Sequence, residues 1–156
     1  MPRTAKRKQA QSDTAAERRH VRELVDSMLV PNPEQLRTNV NWLKRYYPTA
    51  TVQQVMEVLV DRAFKEDSGS ATDAVGFFGA AAYPVILQAF CGINDAERQA
   101  RLGGLLARLG AEVSPSEYSE LGMLFAILCM RLKGEPLLLL ISAQRAMRAS
   151  FESHQR

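Results

Sequence analysis

Residues 74–93 read AVGFFGAAAYPVILQAFCGI, a run without a single charge in which only Gln88 is strongly polar. As a helix rising about 1.5 Å per residue, the run is about 30 Å long, close to the thickness of a bilayer's hydrocarbon core. A helix with no polar face needs apolar surroundings on all sides. Three arrangements meet that need: the centre of a helical bundle, a membrane span, or two half-helices hinged near Pro84 that dip into one leaflet. The flanks argue against a span, because Glu66, Asp67 and Asp73 precede the run and Asp95, Glu97 and Arg98 follow it. No basic asymmetry is present to orient it in a membrane. Gly76, Gly79, Ala80, Ala81 and Ala82 instead suit close packing between helices, and Gly76-x-x-x-Ala80 is a small-xxx-small pattern, though a common one. The expectation is a buried central helix, kinked or split at Pro84 and closed by Gly92.

The rest of the chain supplies helices to surround it. Val21, Leu24, Val25, Met28 and Leu29 recur on one helical face, which Pro31 ends. Four helix starts then follow: Asn32-Pro33-Glu34-Gln35, Thr51-Val52-Gln53-Gln54, Asn94-Asp95-Ala96-Glu97 and Ser114-Pro115-Ser116-Glu117. Each offers a side chain able to accept from the N–H groups that a helix leaves orphaned at its start. The spacing predicts helices over about 33–47, 51–66, 74–93, 95–109, 115–133 and 135–152. The 65–72 stretch reads as a loop, with Asp73 or Thr72 capping the apolar helix. No alternating strand pattern of useful length and no internal repeat appears. The fold class is therefore all-α, a single domain of six to seven helices around 74–93. The helix near 115–133, with its uncharged decamer 121–130, and the helix near 135–150, with its LLLLI run, are the expected main partners. Residues 1–12 are expected to form a disordered basic tail, 13–152 the helical domain, and 153–156 a frayed end.

Charge is concentrated at the N-terminus. Residues 1–22 hold Arg3, Lys6, Arg7, Lys8, Arg18, Arg19 and Arg22 against Asp13 and Glu17, a net +5. The whole chain is +3, so the remainder is −2. Lys6, Arg7, Lys8, Arg18, Arg19 and Arg22 would draw the chain toward an anionic membrane, at roughly 1 kcal/mol each near the surface. Nucleic acid is a poorer fit, with no interleaved stacking aromatic and no helix-turn-helix or zinc pattern. A basic segment together with an apolar helix makes a two-part membrane signal. In that reading Phe77, Phe78, Tyr83 and Phe90 are the candidate lipid or partner contacts. The two cysteines, Cys91 and Cys129, sit in apolar segments and read as buried thiols. No apolar stretch follows the basic N-terminus within a signal peptide's length, and a cytoplasmic location is expected.

Chemistry has little support in the residues. His20 and His154 stand near opposite ends, so a Ser–His or Cys–His pair would need the termini to meet. No three metal ligands fall at useful spacing, and Gly103-Gly104 lacks the Lys-Ser/Thr of a phosphate loop. Glu57 and Asp61, with Arg62 and Lys65, read as a solvated charged face. Trp42, Tyr46 and Tyr47 read as core and rim packing rather than a ligand groove. No catalytic residue, metal or cofactor is expected.

One order of features resembles a known family. Asn32-Pro33, Leu36-Arg37, Val40, Leu43, Tyr47-Pro48-Thr49-Ala50-Thr51, Val55 and Leu59-Val60 precede a small-residue apolar helix, Gly76-Phe77-Phe78-Gly79-Ala80-Ala81-Ala82. Phe90-Cys91-Gly92-Ile93-Asn94-Asp95 follows it. This is similar to the EcsC-like family of bacterial helical proteins over about residues 32–110. Phe90-Cys91 stands where that pattern has an aromatic directly before Gly, and 111–156 has no counterpart. The resemblance implies peripheral membrane association, implies no enzymatic activity, and supplies no catalytic residues. The expected function is a non-enzymatic cytoplasmic protein at an anionic membrane surface or a membrane-bound partner. The alternative is a soluble interaction module whose apolar helix stays in the core and whose first or last helix binds a protein.

Overall fold

A computed structural model describes residues 2–66 and 68–155, with side chains from residue 14 onward. The described residues form nine α-helical segments and one 3-10 turn, and no strand. They are α1 (Pro2–Met28), α2 (Pro33–Tyr46), α3 (Thr49–Lys65), α4 (Gly69–Phe78), the 3-10 turn (Gly79–Ala81), α5 (Ala82–Cys91), α6 (Ala96–Gln99), α7 (Leu102–Gly110), α8 (Pro115–Arg131) and α9 (Glu135–Gln155). Counting α4–α5 and α6–α7 as interrupted single helices leaves seven. The protein is an all-α bundle.

Local chemistry explains most of the boundaries. Asn32 accepts from the N–H groups of Glu34 and Gln35, with Pro33 at the first helical position. Ser114 and Glu117 complete a reciprocal capping box, each side chain accepting from the other's backbone N–H. Asp95 accepts from Glu97 N–H. Three expected caps are displaced, the one expected at Asn94 by a single residue to Asp95. α3 starts at Thr49, not after Thr51, because Pro48 is already extended (φ −59°, ψ 149°) and its carbonyl takes the Val52 N–H. The apolar helix is capped by Ser68, not by Thr72 or Asp73: Ser68 Oγ accepts from Ala71 N–H, so α4 begins inside the expected loop. α1 extends back to Pro2, across the segment expected to be a disordered tail; that stretch holds good helix formers (Ala, Lys, Arg, Gln). The side chains of Lys6, Arg7 and Lys8 lie outside the described residues.

The long apolar run is split, but not at Pro84. The break is Gly79, with φ 72° and ψ −148°, a region essentially reserved for glycine. Pro84 falls in the first turn of α5, where a missing N–H leaves no hydrogen bond unmade. Gly92 caps α5 as expected. The helix expected over 95–109 is also two pieces. The chain turns after Gln99, where the Gln99 amide donates to the Ile93 carbonyl and Arg101 donates to the Phe64 carbonyl. Gly103 and Gly104 directly after the turn add little helix propensity to bridge it.

The layers run from α1 through α2 and α3 to α4 and α5, then to α7, and finally to α9 and α8. α1 packs on α3 and α2, α4 on α2, α3 and α7, α5 on α3 and α7, and α7 most extensively on α9. α7 and α9 meet so closely because Gly110 leaves room for the Met147 backbone; a Cβ there would strike the Met147 carbonyl. The core carries Val25, Leu36, Val40, Leu59, Phe64, Ala74, Tyr83, Ile86, Phe90, Leu106, Leu109, Leu140 and Met147, all essentially inaccessible. The expected centre is thus in place, but its expected partners are not. α2, α3 and α7 wrap it, whereas α8 touches it mainly at the 3-10 turn and buries only Leu121.

Candidate functional site

The most unusual surface is the outer face of α8. This helix is firmly started by its capping box and holds the uncharged decamer 121–130. One side of it packs inward: Leu121 is buried, and Phe125, Leu128 and Cys129 rest against the core. Tyr118 stacks on Phe151 of α9 at 4.3 Å between ring centroids, which sets α8 and α9 side by side and antiparallel. The other side is apolar and open. Met123 is 70% exposed, Ile127 48% and Met130 85%, with Leu124 and Ala126 also exposed. A core helix ordinarily turns its polar residues outward, and here none is available. Beside this face runs a groove of about 340 Å³ between α5 and α8, lined by Pro84, Leu87, Gln88 and Cys91 on one wall and Leu124, Ile127, Leu128 and Arg131 on the other. Contiguous exposed apolar surface of this kind marks an interaction site, and exposed methionines suit it because they adapt to the shape of what they meet.

The expected site residues are scattered. Phe77, Phe78, Tyr83 and Phe90 are between 0 and 7% exposed, so they present no face to lipid or to a partner. Tyr83 is fully enclosed; its hydroxyl donates to Gln144 Oε1 at 2.9 Å, and burial pushes its pKa well up. Arg18, Arg19 and Arg22 are exposed on α1. Arg18 and Arg22 line an open groove of about 630 Å³ between α1 and α3, facing Glu57, Asp61 and Arg62 with Glu17 beside them. The acids match the bases there, so the groove is no anion trap, and Arg62 also pairs with Asp26 at 2.8 Å. The apolar run leaves only a narrow open stripe, Ala81, Pro84, Gln88 and Cys91, along α5. Cys91 is therefore exposed rather than buried as expected, because it falls at the end of that stripe; Cys129 is half-buried, and both thiols are free. Partial burial pushes the Cys91 thiol pKa up.

The charged centre of the protein is structural. Two guanidinium groups lie against Phe77, Arg37 at 4.3 Å and Arg108 at 4.7 Å from its ring centroid. Arg37 makes a two-pronged contact with Glu112, both bonds 3.0 Å. Arg108 bridges Asp73 at 3.0 Å and Glu112 at 2.9 Å. Burial alone would raise the Glu112 pKa, but hydrogen bonds and charge from Arg37 and Arg108 outweigh it, and the carboxyl is held below its usual range. The network ties α2, α4 and α7 together. Gly76 takes part by absence of a side chain: a Cβ would lie 2.8 Å from Arg108 Cγ. Gly76 therefore makes room for the Arg108 side chain of α7, which packs on α4.

A second exposed cluster lies at the end of α2. Trp42 and Tyr46 are 54 and 62% exposed, 5.5 Å apart, with the Arg45 guanidinium over Tyr46. Among the described residues, no group of three or more His, Cys, Asp or Glu is placed to hold a metal. His20 is exposed on α1, and His154 contacts the Ser150 carbonyl at the end of α9.

The α8 face escaped the sequence reading because an uncharged decamer looks the same whether neighbours cover it or not. One signal was present: Met123, Ile127 and Met130 repeat at the spacing of a two-helix seam, bracketed by Glu120 and Arg131. No family model, curated protein or solved structure matches this chain. The EcsC-like resemblance rests on the motifs quoted above.

Proposed function

We propose that the chain is a non-enzymatic helical interaction module that docks a protein surface through the open face of α8, while residues 74–93 stay in the core. The observation that carries this reading is the exposure of Met123, Ile127 and Met130 on a well-capped helix with no polar residue along that face. An apolar face of this kind costs solubility unless something covers it. The test replaces methionine with a photoreactive analogue in living cells of the native host and maps the cross-links. Adducts to protein at Met123 and Met130 are expected, and Ile127→Glu removes them. If neither methionine yields a protein adduct, the reading fails.

A second reading, peripheral contact with an anionic membrane, is favoured by Trp42 and Tyr46 standing exposed beside Lys44 and Arg45. Trp and Tyr gather at membrane interfaces, and bases attract anionic lipid. The basic residues of α1, including Lys6, Arg7, Lys8, Arg18, Arg19 and Arg22, would add to that attraction. Co-sedimentation with phosphatidylserine vesicles at low salt, lost in Trp42→Ala or after deletion of residues 1–22, would establish it. A chain that remains in the supernatant rules it out.

A further inference from the structure

We infer that the partner seated on α8 is a second copy of this chain, its α8 running antiparallel to the first across a two-fold axis near Ala126 and Ile127. The inference rests on the docking reading above and adds the identity of the occupant.

The argument is the arrangement of charge around the apolar face. Glu120 precedes the face and Arg131 follows it, eleven residues later. Eleven residues are about three helical turns, so the two charges stand on the same edge of α8. When a helix pairs with an inverted copy of itself about a two-fold axis, each edge meets the same edge of the other copy. Glu120 of one protomer then stands beside Arg131 of the other, and the contact occurs twice. Both side chains are exposed, and neither has an ion-pair partner among the described residues. Pairing in the parallel sense would bring like charges to the same level.

The apolar residues obey nearly the same symmetry, their centre lying one residue further along α8 than that of Glu120 and Arg131. Met123 and Met130 are equally distant from the midpoint of residues 126 and 127, so each Met123 meets the partner's Met130 level. Ile127 sits on the seam beside the axis, where the two helices approach most closely. The spacing 123, 127, 130 is the four-and-three alternation of a two-helix seam. A seam along a 17-residue helix buries on the order of 1,000 Å² in total, the lower edge of a specific interface. Self-association is therefore expected at a dissociation constant on the order of 10 µM rather than in the nanomolar range.

Sedimentation velocity on the full chain, from about 5 to about 500 µM, tests this. The wild type is expected to pass from monomer to dimer. Ile127→Glu, at a half-exposed position, should weaken association by about 100-fold while leaving the helical circular dichroism and Tm unchanged. Glu120→Arg or Arg131→Glu alone turns two attractions into two repulsions and should weaken the dimer about tenfold. The double variant Glu120→Arg with Arg131→Glu should return to within about threefold of wild type. A monomer at every concentration overturns the inference, as does a dimer indifferent to Ile127→Glu or single reversals that the double variant does not rescue. A monomer that still yields methionine adducts to another protein overturns the second copy alone and leaves the docking reading standing.

Discussion

Single residues set the closest contacts in this protein, and glycine does so at the tightest one. Gly110 and Gly104 are six residues apart on α7, yet a methyl group means opposite things at each. At Gly110 it would press on the Met147 backbone, which cannot turn aside as a side chain end can. Gly110→Ala is expected to cost about 2–3 kcal/mol. At Gly104 nothing lies within 4 Å, and Gly104→Ala should stabilise by up to about 1 kcal/mol through helix propensity. Thermal denaturation of the two variants should therefore shift Tm in opposite directions. Glu112 gives the molecule a pH dependence. Its folded pKa is depressed, so its contribution is present above the carboxyl value of the unfolded chain and is lost as pH falls through the folded value. Glu112→Gln should lower stability near neutral pH by about 1 kcal/mol, Arg37 being half exposed, and the difference from wild type should shrink as acid is added. Urea titrations at a series of pH values between neutral and acid would measure it. Neither effect is legible in the sequence, because the partners, Met147 for Gly110 and Arg37 for Glu112, lie far along the chain.

At the scale of elements, the caps were the clearest part of the sequence. Asn32 and Ser114 act where their local patterns place them, and Asp95 caps one residue after the Asn94 that opens its pattern, because capping is settled within four residues of chain. The misplaced boundaries have tertiary or steric causes. Ser68 outcompetes Thr72 and Asp73 for the start of α4, and Asp73 is then free to hold Arg108. Gly79 breaks the long run because it alone can adopt the conformation required, and Pro84 then needs no kink. α8 depends on its capping box more than the other long helices, because only Leu121 along it is buried. Ser114→Ala is expected to cost about 1 kcal/mol and to raise amide exchange over the first turns of α8 before any other helix responds. Hydrogen exchange resolved by segment would show whether the loss is local.

For the whole molecule, the deciding contrast is between two uncharged helical stretches. The stretch Gly69–Cys91, which holds most of the run 74–93, is long and apolar enough to cross a membrane by composition, yet 61% of its most apolar window is buried, with α2, α3 and α7 packed on it. The decamer 121–130 is shorter and looked like a core partner, yet its outer face is open. If the core placement governs function, amides of α4 and α5 will be among the slowest to exchange, and phosphatidylserine vesicles will not hasten them. Accelerated exchange there in the presence of vesicles would mean that the core opens to lipid. The two parts of the membrane signal also differ in exposure: Arg18, Arg19 and Arg22 of α1 are open to solvent, while most of α4 and α5 is buried.

What the amino-acid sequence determined by itself was the all-helical class, most of the helix starts, and the need to surround residues 74–93 with apolar side chains. Those properties depend on neighbours three or four residues away and on the absence of any polar face, and both can be read along the chain. Only the tertiary structure decided which apolar surface is covered. Burial depends on which helices reach one another, and here a bare glycine at 110 lets α9 lie against α7, while α8 is left with its methionines facing outward.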